Sequence, residues 1–420
     1  MLAILKTHKI QILVNIAIAL FFLLLLLFPK GYNYSPLFLG VIALGYLIYY
    51  LAIKKQKWHL IKEEKWLAFS YVFYFAVFVL SLAVHQDKLN TLDNPTKVLL
   101  FVPLLLLFRQ FPINLNMLLH VIPWGAFIAG AISIYHRFIM HHPMGFGDKI
   151  MHIQGGGMAM SLAMFSLVVT IYFAIQKRYK LTALYLVFTL MGMMSSFLST
   201  ARGAWIGLPF VVLFIIWTYR RSLSKTALTS FFGLITLLVV VLTFMPHSQI
   251  IKRFNQAQSD ITKYVEKNNG ATSLGARFDM WKSAWLAVQE KPLLGWGEAG
   301  IRQKKQQQAK EKIIHQEAVR FGHAHNQYID DSAKRGIIGL FALLSVFFVP
   351  LILFWRKLNG ATLEQKTVAL LGTVHIVSMM FYCLSQGFFA HNSGNIFYFF
   401  LVIVFYAVMK YSLKDKQEKI

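Results

Sequence analysis

The stretch "IQILVNIAIALFFLLLLLF", residues 10–28, decides the fold class. It carries no charge, and as a helix rising 1.5 Å per residue it reaches across the roughly 30 Å hydrocarbon core of a bilayer. In lipid only helices and closed barrels satisfy every backbone N–H and C=O. A barrel strand would alternate apolar and polar residues; this run is continuous, so it reads as a helix. It lacks the small-residue cleavage site of a signal peptide and is read as a retained span.

Similar runs recur along the 420 residues, which are 57% apolar with a mean hydropathy of +0.55. A soluble chain of this length would predict two or three domains. Here the runs predict an all-α polytopic membrane protein of about twelve spans: 10–28, 36–53, 66–84, 96–108, 113–134, 156–175, 181–198, 204–218, 226–244, 336–355, 367–384 and 395–410. The fourth is short and carries Pro95 and Pro103. Residues 1–245 then hold spans one to nine, 246–335 a long extramembrane segment, and 336–420 the last three spans and a tail. Cys383 is the single cysteine and lies in an apolar run, so no intrachain disulfide is possible.

Orientation follows from Lys and Arg in the short loops. With the N-terminus inside, "KKQKWHLIKEEK", "KRYK", "YRRSLSK", "RKLNG" and "KYSLKDKQEK" all face the cytoplasm. Half of the 42 basic residues then lie on that side. Long segments translocate regardless of charge, so 246–335 falls outside, which in a bacterium is the periplasm. The net charge of +25 is thus read as orientation and contact with anionic headgroups, and no nucleic-acid partner is expected. Three helices are predicted in the long segment: "HSQIIKRFNQAQSDITKYVEKN", "RFDMWKSAWLAVQEKP" with Phe278, Trp281 and Trp285 on one face, and the basic "IRQKKQQQAKEKIIHQEAVRF".

The polarity of the chain gathers at a few motifs. "STARGAWIG" places Arg202 at the edge of a span. Such an arginine often snorkels as an interface anchor. As an anion clamp it would offer a planar fork that matches phosphate, and Ser199, Thr200, Ala201, Gly203 and Ala204 would let a bulky ligand approach. Arg277 opens the predicted helix "RFDMWKSAW", where free N–H groups and the helix dipole already favour anions; a solvated loop arginine is the plainer reading. "GWGEAG", residues 295–300, copies a dinucleotide-binding glycine pattern but lacks the strand–turn–helix context, so a tight turn after Pro292 explains it better. His136, His141, His142 and His152 in one loop, and His315, His323 and His325 in the long segment, show no zinc-site spacing, and no metal is expected.

In "HNQYIDDSAKRGIIG", residues 325–339, His325 and Asn326 lie about three helical turns ahead of Gly336, where the tenth span is predicted to begin, unless the chain folds back. A neutral imidazole with a pKa near 6.5 is a competent general base there, active until the pH drops below that value. Asp330 and Asp331 are within reach to orient it if the chain bends back. A hydrogen-bonded structural histidine is the plainer alternative.

The pattern His-Asn-x9-Gly-x-x-Gly at 325–339 resembles the signature of bacterial O-antigen ligases, and "STARGAW" and "RFDMW…KPLLGWGEAG" resemble two further blocks of the wider ligase and polymerase superfamily. The likeness is motif-level over residues 195–340, and residues 1–150 match in hydropathy only. Leu340 departs from it, standing where a Thr often follows the second glycine. The resemblance implies a C-type membrane glycosyltransferase fold and an inverting, metal-free, cofactor-free transfer. The donor would be a glycan on undecaprenyl diphosphate and the acceptor the lipid A–core oligosaccharide, at the periplasmic face of the inner membrane. It also implies that His325 is the base, with His323 and Asn326 in support, and that Arg202 and Arg277 hold the diphosphate. A surface-polysaccharide polymerase and a protein O-oligosaccharyltransferase share the chemistry. A flippase would instead predict charges within several spans and Gly/Pro-broken mid-membrane helices in both halves, whereas the spans are nearly charge-free and the polarity is gathered outside.

Overall fold

A computed structural model describes residues 2–223, 229, 233, 249–360 and 362–413. The described residues are helical and contain no strand. The membrane helices in chain order are α1 (Leu2–Leu24), α2 (Gly31–Ile48), α3 (Lys62–His85), α4 (Asp93–Phe101), α5 (Leu104–Gln110), α6 (Leu115–Ile134), α7 (His152–Ile175), α8 (Tyr179–Leu198) and α9 (Leu208–Tyr219). The long segment contributes α10 (Gln249–Lys267), α11 (Ser273–Glu290) and α12 (Gly297–Lys310). Then α13 (Gln327–Trp355), α14 (Leu363–Cys383) and α15 (Asn392–Ala407) return to the bundle. Among the described residues ten helical stretches are long and apolar enough to cross a membrane, and His8–Leu24 is a shorter apolar helix. The predicted ninth span, 226–244, lies outside the described residues but for Thr229 and Gly233.

The bundle has an inside and a lipid-facing outside. In the most apolar window of α15 and its continuation to Ser412, 94% of residues are buried, against 22% for the window in α2. Thus α7, α14 and α15 form the centre, while α2 shows Phe38, Val41 and Leu44 to the surroundings. The fourth span breaks between Phe101 and Leu104, because Pro103 has no N–H to continue the ladder.

The two ends of the bundle differ. At one, Glu64 is fully buried against Arg109 and Tyr411, and Lys410 pairs with Glu63 at 2.7 Å, tying α3, α5 and the last helix together. At the other, the long segment docks on the loop after α3. Asp87 accepts from Glu298 N at 2.8 Å and Ala299 N at 3.0 Å, capping α12, and His85 Nε2 bonds Leu294 O at 3.0 Å. Reporter fusions at Lys177 and Arg221 are therefore expected to read as cytoplasmic, and fusions at Lys267 and Gln308 as periplasmic. A cytoplasmic signal from the last two would overturn the orientation, since the basic-loop asymmetry would then have been misread.

Two expectations about the long segment are corrected. The basic stretch 301–321 is not one helix: α12 ends at Lys310, the chain turns through Lys312 at φ 59°, and a 3-10 turn spans Gln316–Arg320. Its charge is also largely used internally, through Arg302–Glu298, Lys304–Glu290 and Arg320–Glu317 pairs, while Lys305 is buried on Phe321 O. Trp285 is 60% exposed, whereas Trp281 packs into the small core of the segment.

Candidate functional site

The backbone that carries His325 is fixed from both sides. Asp330 Oδ1 accepts from Ala324 N at 2.8 Å, and Trp281 Nε1 donates to Ala324 O at 2.9 Å. Asn326 caps α13, its Oδ1 accepting from Tyr328 N at 3.0 Å and Ile329 N at 3.2 Å, so its side chain is used structurally. Between these anchors His325 adopts φ 49°, a left-handed conformation uncommon for a residue with a side chain. Helix α13 therefore begins two residues after His325, well before Gly336. Gly336 is a break within it, at φ 66° and ψ −162°. A Cβ there would sit 2.1 Å from Leu293 O, so the "PLLGWG" turn packs into the kink, as Ile337 N donates to Pro292 O at 2.8 Å. A tight turn does follow Pro292, with Gly295 and Gly297 both at φ 69°, and residues 297–300 form the first turn of α12.

Neither acidic neighbour touches the imidazole. Asp330 pairs with Lys334 at 2.8 Å, and Asp331 with Arg335 and Gln327. The orienting group is Gln386, in the loop between α14 and α15, whose Oε1 bonds His325 Nδ1. Gln386 Nε2 in turn bonds His391 Nε2 at 3.1 Å. An amide oxygen only accepts and an amide nitrogen only donates, so Nδ1 carries the proton and His325 Nε2 holds the lone pair. This arrangement suits a proton acceptor. His323 accepts the backbone N–H of His325 at 3.2 Å, and the two rings lie 4.3 Å apart.

The expectation of a pKa near 6.5 is corrected. Burial pulls His325 down to about 4; its hydrogen bond to Gln386 opposes this, while the Arg277 charge and His391 add to it. Burial and the neighbouring His325 take His323 to about 3. Both imidazoles are neutral through the physiological range.

The structure brings Arg202 and Arg277 to one cavity of about 440 Å³, which Ser385, Asp260, Gln256 and His152 also line. Arg277 is held below the ordinary guanidinium value by burial and by the Arg202 charge. Arg277 also depresses His325, so a single guanidinium bears on both partners. Two cations against one carboxylate, Asp260, make a site that an anion would stabilise. Helix α11 starts at Ser273, so Arg277 sits in its second turn rather than at its opening. Two of the N–H groups at that opening are already bonded, Leu274 N to Asp260 at 3.4 Å and Gly275 N to Thr272 at 3.0 Å. The side chains, more than the helix dipole, carry the positive charge.

The small residues around Arg202 divide. Thr200, Ala201 and Gly203 line the cavity, but Ser199 and Ala204 are buried in packing. A Cβ at Gly203 would come 2.1 Å from Ser385 Oγ, so this glycine lets the arginine loop close onto the loop that presents Gln386. Ser385 and Gln386 thus join the arginine cavity to the histidine. Motif spacing missed both, and His391 too; their signal was the polar "SQGFFAHN" at 385–392, between two apolar spans.

Of the other histidines, His142 faces Asp148 at 3.4 Å and His315 Nδ1 accepts from Glu317 N at 3.2 Å. Among the described residues no three His, Cys, Asp or Glu side chains converge on a metal position. A larger apolar groove of about 590 Å³, between α1 and α2, shares no residue with the site. It belongs to the lipid-facing surface.

Residues 186–344 match a family profile described as O-Antigen ligase, a segment that holds Arg202, Arg277 and His325. An uncharacterized protein of Haemophilus influenzae strain Rd is 44% identical over 392 residues, covering 93% of this chain and 97% of the relative. With the motif match, the helical bundle and two arginines meeting at one cavity beside an oriented imidazole, the chain belongs to the O-antigen ligase family of multi-pass membrane proteins, with a ligase- or polymerase-type glycosyltransferase function.

Proposed function

We propose that the protein is an inverting, metal-independent glycosyltransferase that moves an O-antigen glycan from undecaprenyl diphosphate to lipid A–core oligosaccharide at the periplasmic face of the inner membrane. The observation that carries this reading is that Arg202, Arg277 and Ser385 line one cavity, while Gln386, the next residue after Ser385, holds the His325 imidazole. Charge stabilisation for a leaving diphosphate and a base for an incoming hydroxyl then lie side by side. In the reaction an acceptor oxygen bonds to the anomeric carbon as the bond from that carbon to the diphosphate oxygen breaks. The diphosphate leaves with the electron pair, stabilised by Arg202 and Arg277. The hydroxyl proton passes to His325 Nε2, while Gln386 holds Nδ1–H. Diphosphate is a good leaving group, so no general acid is required.

The test is reconstitution of the full chain in vesicles with an undecaprenyl-diphosphate oligosaccharide and rough lipopolysaccharide. The expected product is glycan on lipid A–core. Longer undecaprenyl-linked glycan alone would identify a polymerase, and glycan on Ser or Thr a protein-modifying enzyme.

Gln386 supplies a finer check. Gln386→Leu removes the group that fixes the tautomer and is expected to slow transfer about 10–100-fold, the scale known for the hydrogen-bond partners that orient metal-bound imidazoles, with donor binding unchanged. Gln386→Glu places a carboxylate on Nδ1–H, which favours the imidazolium and raises its pKa. The acid limb of the rate profile should then move to higher pH. An unmoved limb would separate Gln386 from the proton transfer.

A further inference from the structure

A second cavity, of about 300 Å³, shares no lining residue with the arginine cavity. His323 forms part of its wall, and the His323 ring is 4.3 Å from that of His325. We propose that this second cavity binds the acceptor through a neutral, hydroxyl-rich sugar ring, an inference that rests on the transfer reading above.

Charge separates the two cavities. The first sets two guanidiniums against one carboxylate. The second balances Glu298, Asp330 and Asp331 against Arg302, Lys334 and Arg335. These charges are paired with each other: Lys334 with Asp330 at 2.8 Å and Glu298 at 2.9 Å, Arg302 with Glu298 at 3.2 Å, and Arg335 with Asp331. A phosphate entering there would meet three carboxylates, whereas a polyol meets donors and acceptors of both kinds. Asn90, Thr91 and Asn94 add further uncharged partners on the wall formed by the loop after α3 and the start of α4. Arg335 also lines the cavity, and its buried Nε has no hydrogen-bond partner among the described residues. The Arg335 guanidinium stacks 3.5 Å from the centre of the Phe78 ring, and Phe389 lines the same space, so an apolar face accompanies the polar one. A pyranose has the same two characters, and the volume is at the lower end of the roughly 300–1,000 Å³ of small-molecule sites. With the acceptor there and the diphosphate in the first cavity, His323 of the acceptor cavity abuts His325, whose partner Gln386 follows Ser385 of the donor cavity.

The experiment uses the purified full chain with rough lipopolysaccharide as acceptor probe. Asn90 is exposed and outside the catalytic set, so Asn90→Trp fills the cavity mouth without touching the core. The KM for rough lipopolysaccharide should rise about tenfold or more, with the donor KM within about twofold. Arg302→Ala, which alters another lining residue, should raise the acceptor KM in the same selective way. An unchanged acceptor KM in both variants, or acceptor and donor KM rising together, would overturn the proposal. Removing the phosphates from the probe should leave the Asn90→Trp effect in place; if the effect disappears with them, the cavity reads phosphate and the inference is wrong. Should the unaltered chain show no transfer, the transfer reading fails, and retention of labelled rough lipopolysaccharide on the immobilised chain decides this one separately. Loss of retention in Asn90→Trp supports the cavity as a sugar site, and unchanged retention overturns it.

Discussion

His325→Ala is expected to slow transfer by about 10² to 10⁴-fold, the usual contribution of a positioned general base. The loss should fall on kcat, with donor affinity nearly intact, because the base acts on the acceptor hydroxyl and the arginines hold the diphosphate. His323→Ala should cost less, since His323 supports the His325 backbone through Nδ1 and its own ring is not held by Gln386. The pH dependence sharpens the test. An imidazole is a base only while neutral, and burial holds His325 at about 4. The rate should therefore persist as pH falls past 6.5 and be lost only as it approaches about 4. An unfolded imidazole near 6.5 binds its proton before the folded one does, so stability should decline over the same window, from about pH 6.5 down to 4. Purified His325→Ala with unaltered turnover would remove the base assignment. Abolition of activity by a chelator, with recovery on zinc, would replace it by a metal site.

The arginines carry the second large effect. Arg277→Ala and Arg202→Ala should each cost about 2–4 kcal/mol of transition-state stabilisation, or about 30- to 1,000-fold in rate. Arg202→Lys keeps the charge but loses the fork that grips two phosphate oxygens, and a loss of more than about tenfold is expected. The two substitutions should not add, because the guanidiniums share one cavity and one anion. Arg277→Ala carries a further signature. Its charge helps depress His325, so removing it should raise that pKa and shift the acid limb upward. A well-expressed Arg202→Lys protein with near-normal transfer would make that residue an interface anchor.

The sequence by itself determined the membrane class, because a run such as 10–28 has one stable solution in hydrocarbon, and local composition is enough to see it. It also placed Arg202, Arg277 and His325 as candidates, because guanidinium and imidazole chemistry is a property of the residue type. Where those candidates stand was a tertiary matter. Arg202 and Arg277 are 75 positions apart in the numbering, and only the docking of α11 over the loop after α8 puts both on one cavity. Proximity in sequence offers Asp330 and Asp331 to orient His325 if the chain bends back, but α13 starts at Gln327 and turns those carboxylates toward Lys334 and Arg335. Gln386, 61 residues on, takes the place because the α14–α15 loop folds beneath the imidazole. The pKa followed the same rule. A sequence supplies the ordinary value of an imidazole, but desolvation and the field of Arg277 depend on what the fold packs around the ring, and these set it near 4.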